Sequence, residues 1–197
     1  MKEATITNYL HKGDLPADVT FKGDLAVDTE AMGLNNKRDR LCVVQISDGN
    51  GNAHLVKFEK NQYRAPVLAK LLTDGKRTKI FHFARFDLAL MREYLGVRIA
   101  PVYCTRTASR LARTYTDKHG YKDICKELLG VEISKQQQSS DWGAAELSQE
   151  QIDYAAADVL HLHKLRDRLD EMLKQEGRLE LLQACLDFLP YRAELDL

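Results

Sequence analysis

Leu25-Ala26-Val27-Asp28-Thr29-Glu30 is the stretch on which the fold turns. Three consecutive apolar residues suit a core strand, and in a strand residues two apart project from the same face. Asp28 and Glu30 therefore stand side by side at the strand's end. Two bare carboxylates that close repel, and one is pushed to protonate unless a cation neutralises them. The pair suggests a divalent metal. Taken alone, the same residues also suit an ordinary exposed strand end with solvated acids.

Working outward, Leu41 to Ser47 and Ala53 to Phe58 read as two further strands. Asp48-Gly49-Asn50-Gly51-Asn52 between them is hairpin chemistry, so the sheet starts antiparallel. Alternation follows: a helix around Tyr63 to Leu72, a strand from Lys79 to Phe83, a helix from Arg85 to Leu95 and a strand near Val102. Helices are predicted around Thr105 to Arg113 and Tyr121 to Leu129. A meander followed by βα units predicts an α/β fold, a mixed sheet with helices packed on it. Gly130 to Trp142, polar and glutamine-rich, reads as a loop. Ser148 then opens what reads as the longest helix. Gln151 completes a capping box there, and Leu147 and Ile152 are placed as a hydrophobic staple. A last helix, about Arg178 to Phe188, is expected to stop at Pro190.

The 197 residues suit one domain, 44% hydrophobic and 29% charged, a soluble globular composition. Lys+Arg and Asp+Glu balance at 29 each. A protein that coats long nucleic acid usually carries a basic surplus, so the balance mildly favours a short substrate. Cys42, Cys104, Cys125 and Cys185 show no metal or redox spacing and read as reduced buried thiols. Met1 to Asp14 has no apolar stretch of signal-peptide length, and no segment approaches a membrane span. A cytoplasmic protein is expected.

Two further acids join the first pair. Tyr154 and Asp158, four apart on the capped helix, share a face beside the apolar stripe of Ile152, Ala155, Val159, Leu162 and Leu169. Asp87 follows the Lys79–Phe83 strand near the start of a helix, where an acid also suits the helix dipole. Asp28-Thr29-Glu30-Ala31-Met32-Gly33-Leu34, His82-Phe83-Ala84-Arg85-Phe86-Asp87 and Tyr154-Ala155-Ala156-Ala157-Asp158 resemble, in order and spacing, the three motifs of the DEDDy group of 3′→5′ exonucleases. Lys135 to Trp142 resembles the segment preceding the third motif in ribonuclease D-like members. The match runs from about Leu25 to the last residue. With Thr114 to Gly120 and Phe188 to Leu197, the chain is most similar to the nano-RNase C type, which cuts very short oligoribonucleotides. It is too short for the helical nucleic-acid-binding domains that follow the catalytic domain in full-length ribonuclease D.

The resemblance implies a single exonuclease domain over residues 1–197. Its fold would be ribonuclease H-like, with helices on both faces of the mixed sheet and a helical C-terminal part. Asp28, Glu30 and Asp158 would bind two Mg²⁺ or Mn²⁺ ions, with Asp87 helping directly or through water, for two-metal phosphodiester hydrolysis. Hard oxygen donors suit those ions, and the chain offers no Cys or His set for zinc. Tyr154 would orient or deprotonate the attacking water. Leu34 would wedge between the last two bases, a role weighed equally against a turn leucine packed in the core. His82 and Phe83 would contact the terminal nucleotide, although as strand residues on opposite faces one of them should be core. Lys135 and Gln138 are candidates for phosphate contacts. Arg106, Arg110 and Arg113 at helical spacing suit a solvated or subunit-contact face better than a basic stripe. His161 and His163 are assigned no chemistry. The expected substrate is short single-stranded RNA such as the dinucleotide pGpG, the expected assembly a homo-octamer, and no membrane is involved. Other readings are a broader 3′-trimming exonuclease on longer RNA or DNA, and an inactive exonuclease-fold module that binds RNA.

Overall fold

The computed structural model describes residues 7–134 and 136–197. Among these residues six strands, β1 (Asn8–Lys12), β2 (Leu25–Ala31), β3 (Leu41–Ser47), β4 (Ala53–Lys57), β5 (Lys79–Phe81) and β6 (Val102–Cys104), form one sheet in the order β1-β4-β3-β2-β5-β6. The β2–β3 and β3–β4 pairs are antiparallel, and β5, β6 and β1 join in parallel. All seven side chains of β3 are buried, as a central strand covered on both faces requires. At the acidic end of β2 the register slips, Glu30 facing Val43 while Ala31 faces Leu41, so Cys42 is an extra residue on β3. Such a bulge ends regular pairing and re-aims the side chains beside it.

Seven helices complete the fold among the described residues: α1 (Pro66–Leu72), α2 (Ala84–Leu95), α3 (Thr105–Ala112), α4 (Tyr121–Leu129), α5 (Gln149–Leu160), α6 (Leu162–Gln175) and α7 (Leu179–Glu194). Helix α5 lies against β2, β3, β4 and β1, while α2 reaches β3, β5 and β6. The alternation along β2 sorts the two: Thr29 bonds Asp87 of α2, and Gln45, on the face of Asp28, belongs to the α5 side.

Four elements depart from the sequence expectation. Strand β1 lies in the polar N-terminal stretch, where Tyr9 and Leu10 stay exposed on a sheet edge and leave no apolar pattern to read. The predicted long helix breaks at His161, so Leu162 and Leu169 belong to α6 and the longest helix is α7 with 16 residues. Helix α7 runs through Pro190, which is buried inside it. A helix-interior proline costs about 3 kcal/mol, but here α7 packs on α2 and β6, and its C-terminal end is tied by ion pairs of Glu194 with Arg92 and of Asp196, just past the helix, with Arg85 and Arg192. Strand β5 stops at Phe81, so His82 and Phe83 are not strand residues on opposite faces. Of the thiols, Cys42, Cys104 and Cys125 are buried, while Cys185 is exposed rather than buried; all four are free.

Candidate active site

Asp28 and Glu30 share one face of β2, and α5 brings Asp158 to them. Each of the three half-buried acids offers a carboxylate oxygen within 4.8 Å of the other two. Asp87, buried in the first turn of α2, lies outside that tight group and accepts a bond from Thr29 Oγ1 at 2.5 Å. Thr29, between the paired acids but on the opposite face, thus fixes the fourth acid.

Burial pushes all four carboxyls up, Asp28 to about 7 and the others well above the ordinary range. The charges of Asp28, Asp158 and Asp87 push Glu30 up further, and the charge of Asp28 does the same to Asp87 and Asp158. Clustered, desolvated acids of this kind need a cation to be stable in the ionised form. The donor set is hard oxygen throughout, which fits Mg²⁺ or Mn²⁺.

The Tyr154 phenol stands beside the group, half-buried, its ring centroid 6.0 Å from that of Trp142. Burial first, then the charges of Asp158, Glu30 and Asp28, raises its pKa. The capping box that starts α5 also anchors the approach to it. Ser148 Oγ accepts from the Gln151 amide at 3.2 Å, and Gln151 Oε1 accepts from the Ser148 amide at 2.9 Å. Gln151 Nε2 then reaches back to Ser140 Oγ at 2.5 Å and to the Asp141 carbonyl at 3.1 Å. The segment before the third motif is therefore tied to the helix that carries the motif.

Two recesses adjoin the acids. One, of about 310 Å³, is lined by His82, Phe83, Arg106, Tyr121, Gln138 and Tyr154 with Asp28 and Asp158. The other, of about 520 Å³ on the Glu30 side, is lined by Met32, Leu34, Phe86, Gln138, Ser139 and Trp142. Leu34 is 88% exposed, so it is not packed in the core. Phe83 is also exposed, and its backbone is left-handed at φ 68°. A bulky residue there is strained, a condition that clusters at ligand sites. The Arg106 guanidinium covers the Phe83 ring at 4.6 Å. His82 is held neutral, pushed down to about 3 by burial and then by the Arg106 charge. Thr105 Oγ1 lies 3.2 Å from the Phe81 carbonyl and 2.9 Å from His82 Nδ1, which fixes the orientation of the imidazole ring.

Leu34, His82, Phe83 and Gln138 thus all line the recesses, while Lys135 lies outside the described residues. The arginine row divides instead of forming one face. Arg106 reaches the cleft and Arg110 is exposed, but Arg113 is fully buried, bonded to Ser109 Oγ at 2.9 Å and paired with Glu127. Three neighbours of the acids escaped the sequence reading. Thr29 hides inside a motif read only for its acids. Gln45 is the one amide in a strand whose other residues, Ser47 at its end apart, are apolar, a visible signal without a visible partner; its Nε2 donates to Asp28 Oδ2 at 3.2 Å. Tyr121, whose hydroxyl donates to the Ala157 carbonyl at 2.6 Å, carried no signal.

The model of a 3′–5′ exonuclease family matches residues 5–174. Ribonuclease D of Granulibacter bethesdensis is 36% identical over 155 residues, 79% of this chain and 39% of that protein. This chain therefore spans only about two fifths of such relatives. A structure of Brucella melitensis NrnC bound to pGG superposes with a TM-score of 0.94 at 53% identity, covering 98% of this chain and 94% of that one. NrnC with bound Mg²⁺ superposes with a TM-score of 0.93 at 53% identity, covering 96% and 93%. The architecture is the ribonuclease H-like one.

Proposed function

This chain belongs to the 3′–5′ exonuclease family, and we propose that it is a hydrolytic nuclease of the ribonuclease D type that degrades very short RNA, dinucleotides above all, to mononucleotides. One observation carries the proposal: the likeness to a protein bound to pGG extends over 94% of that protein, whereas the likeness to ribonuclease D stops at 39%.

Asp28, Glu30 and Asp158 would hold two divalent ions, with Asp87 acting from the Thr29 side directly or through water. Such ions would neutralise charge on the attacking and leaving oxygens of the phosphodiester. The chain's own groups do the rest. The Tyr154 hydroxyl sits where it can orient the attacking water, and its raised pKa favours positioning over proton removal. Exposed Leu34 can separate two bases, and the free face of Phe83 can stack on a base of any identity. Neutral His82, lining the recess beside Phe83, is proposed to contact the terminal nucleotide. Gln138, lining both recesses, and Lys135 are proposed for phosphate contacts. The recesses are small, and a homo-octamer would restrict access further. No helix among the described residues is long and apolar enough to cross a membrane; a cytoplasmic site of action belongs to the proposal.

Cleavage of a 5′-labelled RNA dinucleotide beside a 5′-labelled RNA of about 20 residues tests this, sized by the few-nucleotide footprints of single-strand binders. Both are run with Mn²⁺, with chelator and with Asp28→Ala. Much faster metal-dependent loss of the dinucleotide is expected. Equal or faster stepwise shortening of the long strand would instead make the chain a general 3′ trimmer, the reading its ribonuclease D relatives favour. Binding without any cleavage would make it an RNA-binding module.

A further inference from the structure

We propose that Gln45 is a positioning residue of the metal site, fixing the Asp28 carboxylate so that its remaining lone pairs face the cation. The antiparallel register places Gln45 directly opposite Asp28, on the same face of the sheet. Gln45 is fully buried, and its Nε2 donates to Asp28 Oδ2 at 3.2 Å. Its other amide atom, Oε1, is buried with no hydrogen-bond partner.

Such an arrangement lowers stability. An unpartnered buried carbonyl costs about 1–3 kcal/mol, and β3 is otherwise a strand of buried apolar side chains apart from Ser47 at its end. A Leu or Met at this position would suit the core better. What the amide contributes is electrostatic and directional. A neutral N–H donor favours the ionised carboxylate without cancelling its charge, as a lysine or arginine in the same place would. With one lobe of Oδ2 held by Gln45, the carboxylate is restrained from turning, and its remaining lone pairs can face the cation. Partners of this kind behind a ligating group typically cost 10–100-fold in metal affinity when removed.

The proposal rests on the metal reading of the three acids, and its test needs no substrate. Gln45→Met keeps the length and shape of the side chain and removes both amide functions. Mn²⁺ affinity is measured by calorimetry on the full chain, and melting temperature is read in chelator. The expected result is an affinity lowered by about 10–100-fold together with an unchanged or higher melting temperature without metal. In cleavage assays turnover recovers at saturating Mn²⁺, and KM for the dinucleotide is little changed. In the background of Asp28→Asn, where the carboxylate is gone, Gln45→Met should produce no further loss of affinity. Unaltered Mn²⁺ affinity in Gln45→Met would overturn the proposal. So would a variant too unstable to assay, because an amide kept only for the metal must be replaceable by an apolar side chain. Failure of the unaltered chain to take up Mn²⁺ would fail the metal centre itself, a separate result.

Discussion

At the scale of single residues, the acids and Tyr154 make separable predictions. Tyr154→Phe removes one hydroxyl and leaves the ring against Trp142, so the fold and the carboxylates are untouched. Turnover should fall by roughly 10²-fold or more, the cost of losing orientation at the reacting centre, while Mn²⁺ affinity stays near that of the parent. Lost Mn²⁺ binding would make Tyr154 structural. The acids predict a pH dependence. A carboxyl whose pKa is raised by folding binds its proton more tightly folded than unfolded, so stability without metal falls as pH climbs. For Asp28 the window runs from its ordinary range near 4 to about 7, and the other three extend it upward. A bound cation needs the ionised forms and reverses the sign. The rise in melting temperature on adding Mn²⁺ should therefore grow between pH 5 and 8, a span set by these raised values and the unperturbed carboxylate range. An increment flat across that span would show that the acids are not the ligands. The pairing of Asp28 with Glu30, and the shared face of Tyr154 and Asp158, were legible because each follows from the period of one element. The separation of Asp87 from the other three acids was not. It depends on Thr29 pointing to the opposite face and meeting α2, a contact between segments 58 positions apart.

At the scale of elements, local signals held where local chemistry decides and failed where packing does. The capping box at Ser148 and Gln151 is written in four residues and forms as read. The hairpin at residues 48–52 likewise joins β3 to β4. Pro190 and His161 misled because packing decides there: α7 continues through Pro190 against α2 and β6, while α5 lies on β1 to β4 and α6 turns instead to α3, α4 and β5. Lys79 is hidden from any pattern: it is fully buried in β5, its ammonium satisfied by the carbonyls of Asp74, Arg77 and Ala100. The cap also makes a prediction, since Gln151 serves both the helix and the preceding loop. Ser148→Ala should cost about 1 kcal/mol of stability, as lost caps do, with little change in turnover. Gln151→Ala should cost a similar amount and also free Ser140 and Asp141 from α5. Its turnover should drop by about tenfold, short of the hundredfold that a displacement of about 1 Å can cause. Thermal melts beside single-turnover rates on the dinucleotide check both. Equal rates in the two variants would mean that the loop holds its position without Gln151.

At the scale of the molecule, the outward face of α7 bears on how access to the site is limited. Leu181, Phe188 and Tyr191 recur at helical spacing along one side of α7, and Leu195 follows in line; all are at least 52% exposed. Large apolar groups gathered on one stripe of a surface helix are unusual in a chain that remains a monomer. The proposed octamer gives them a partner, a second copy of the same helix or of the surface beside it. Size-exclusion with light scattering should then find a particle of eight 22.5 kDa chains. Placing a charge in the stripe, Phe188→Asp with Tyr191→Asp, should dissociate it, because neither carboxylate can be buried without a counter-charge. The freed subunit keeps Asp28, Glu30, Asp158 and both recesses, so it should still cleave the dinucleotide in Mn²⁺. What should change is selectivity: the longer RNA, no longer fenced off by neighbouring copies, should gain relative to the dinucleotide. Dissociation without that gain would put the length limit within the subunit, at Leu34, Phe83 and the walls of the two recesses. A parent chain that runs as a monomer would remove the octamer from the account and leave the α7 stripe to a different partner.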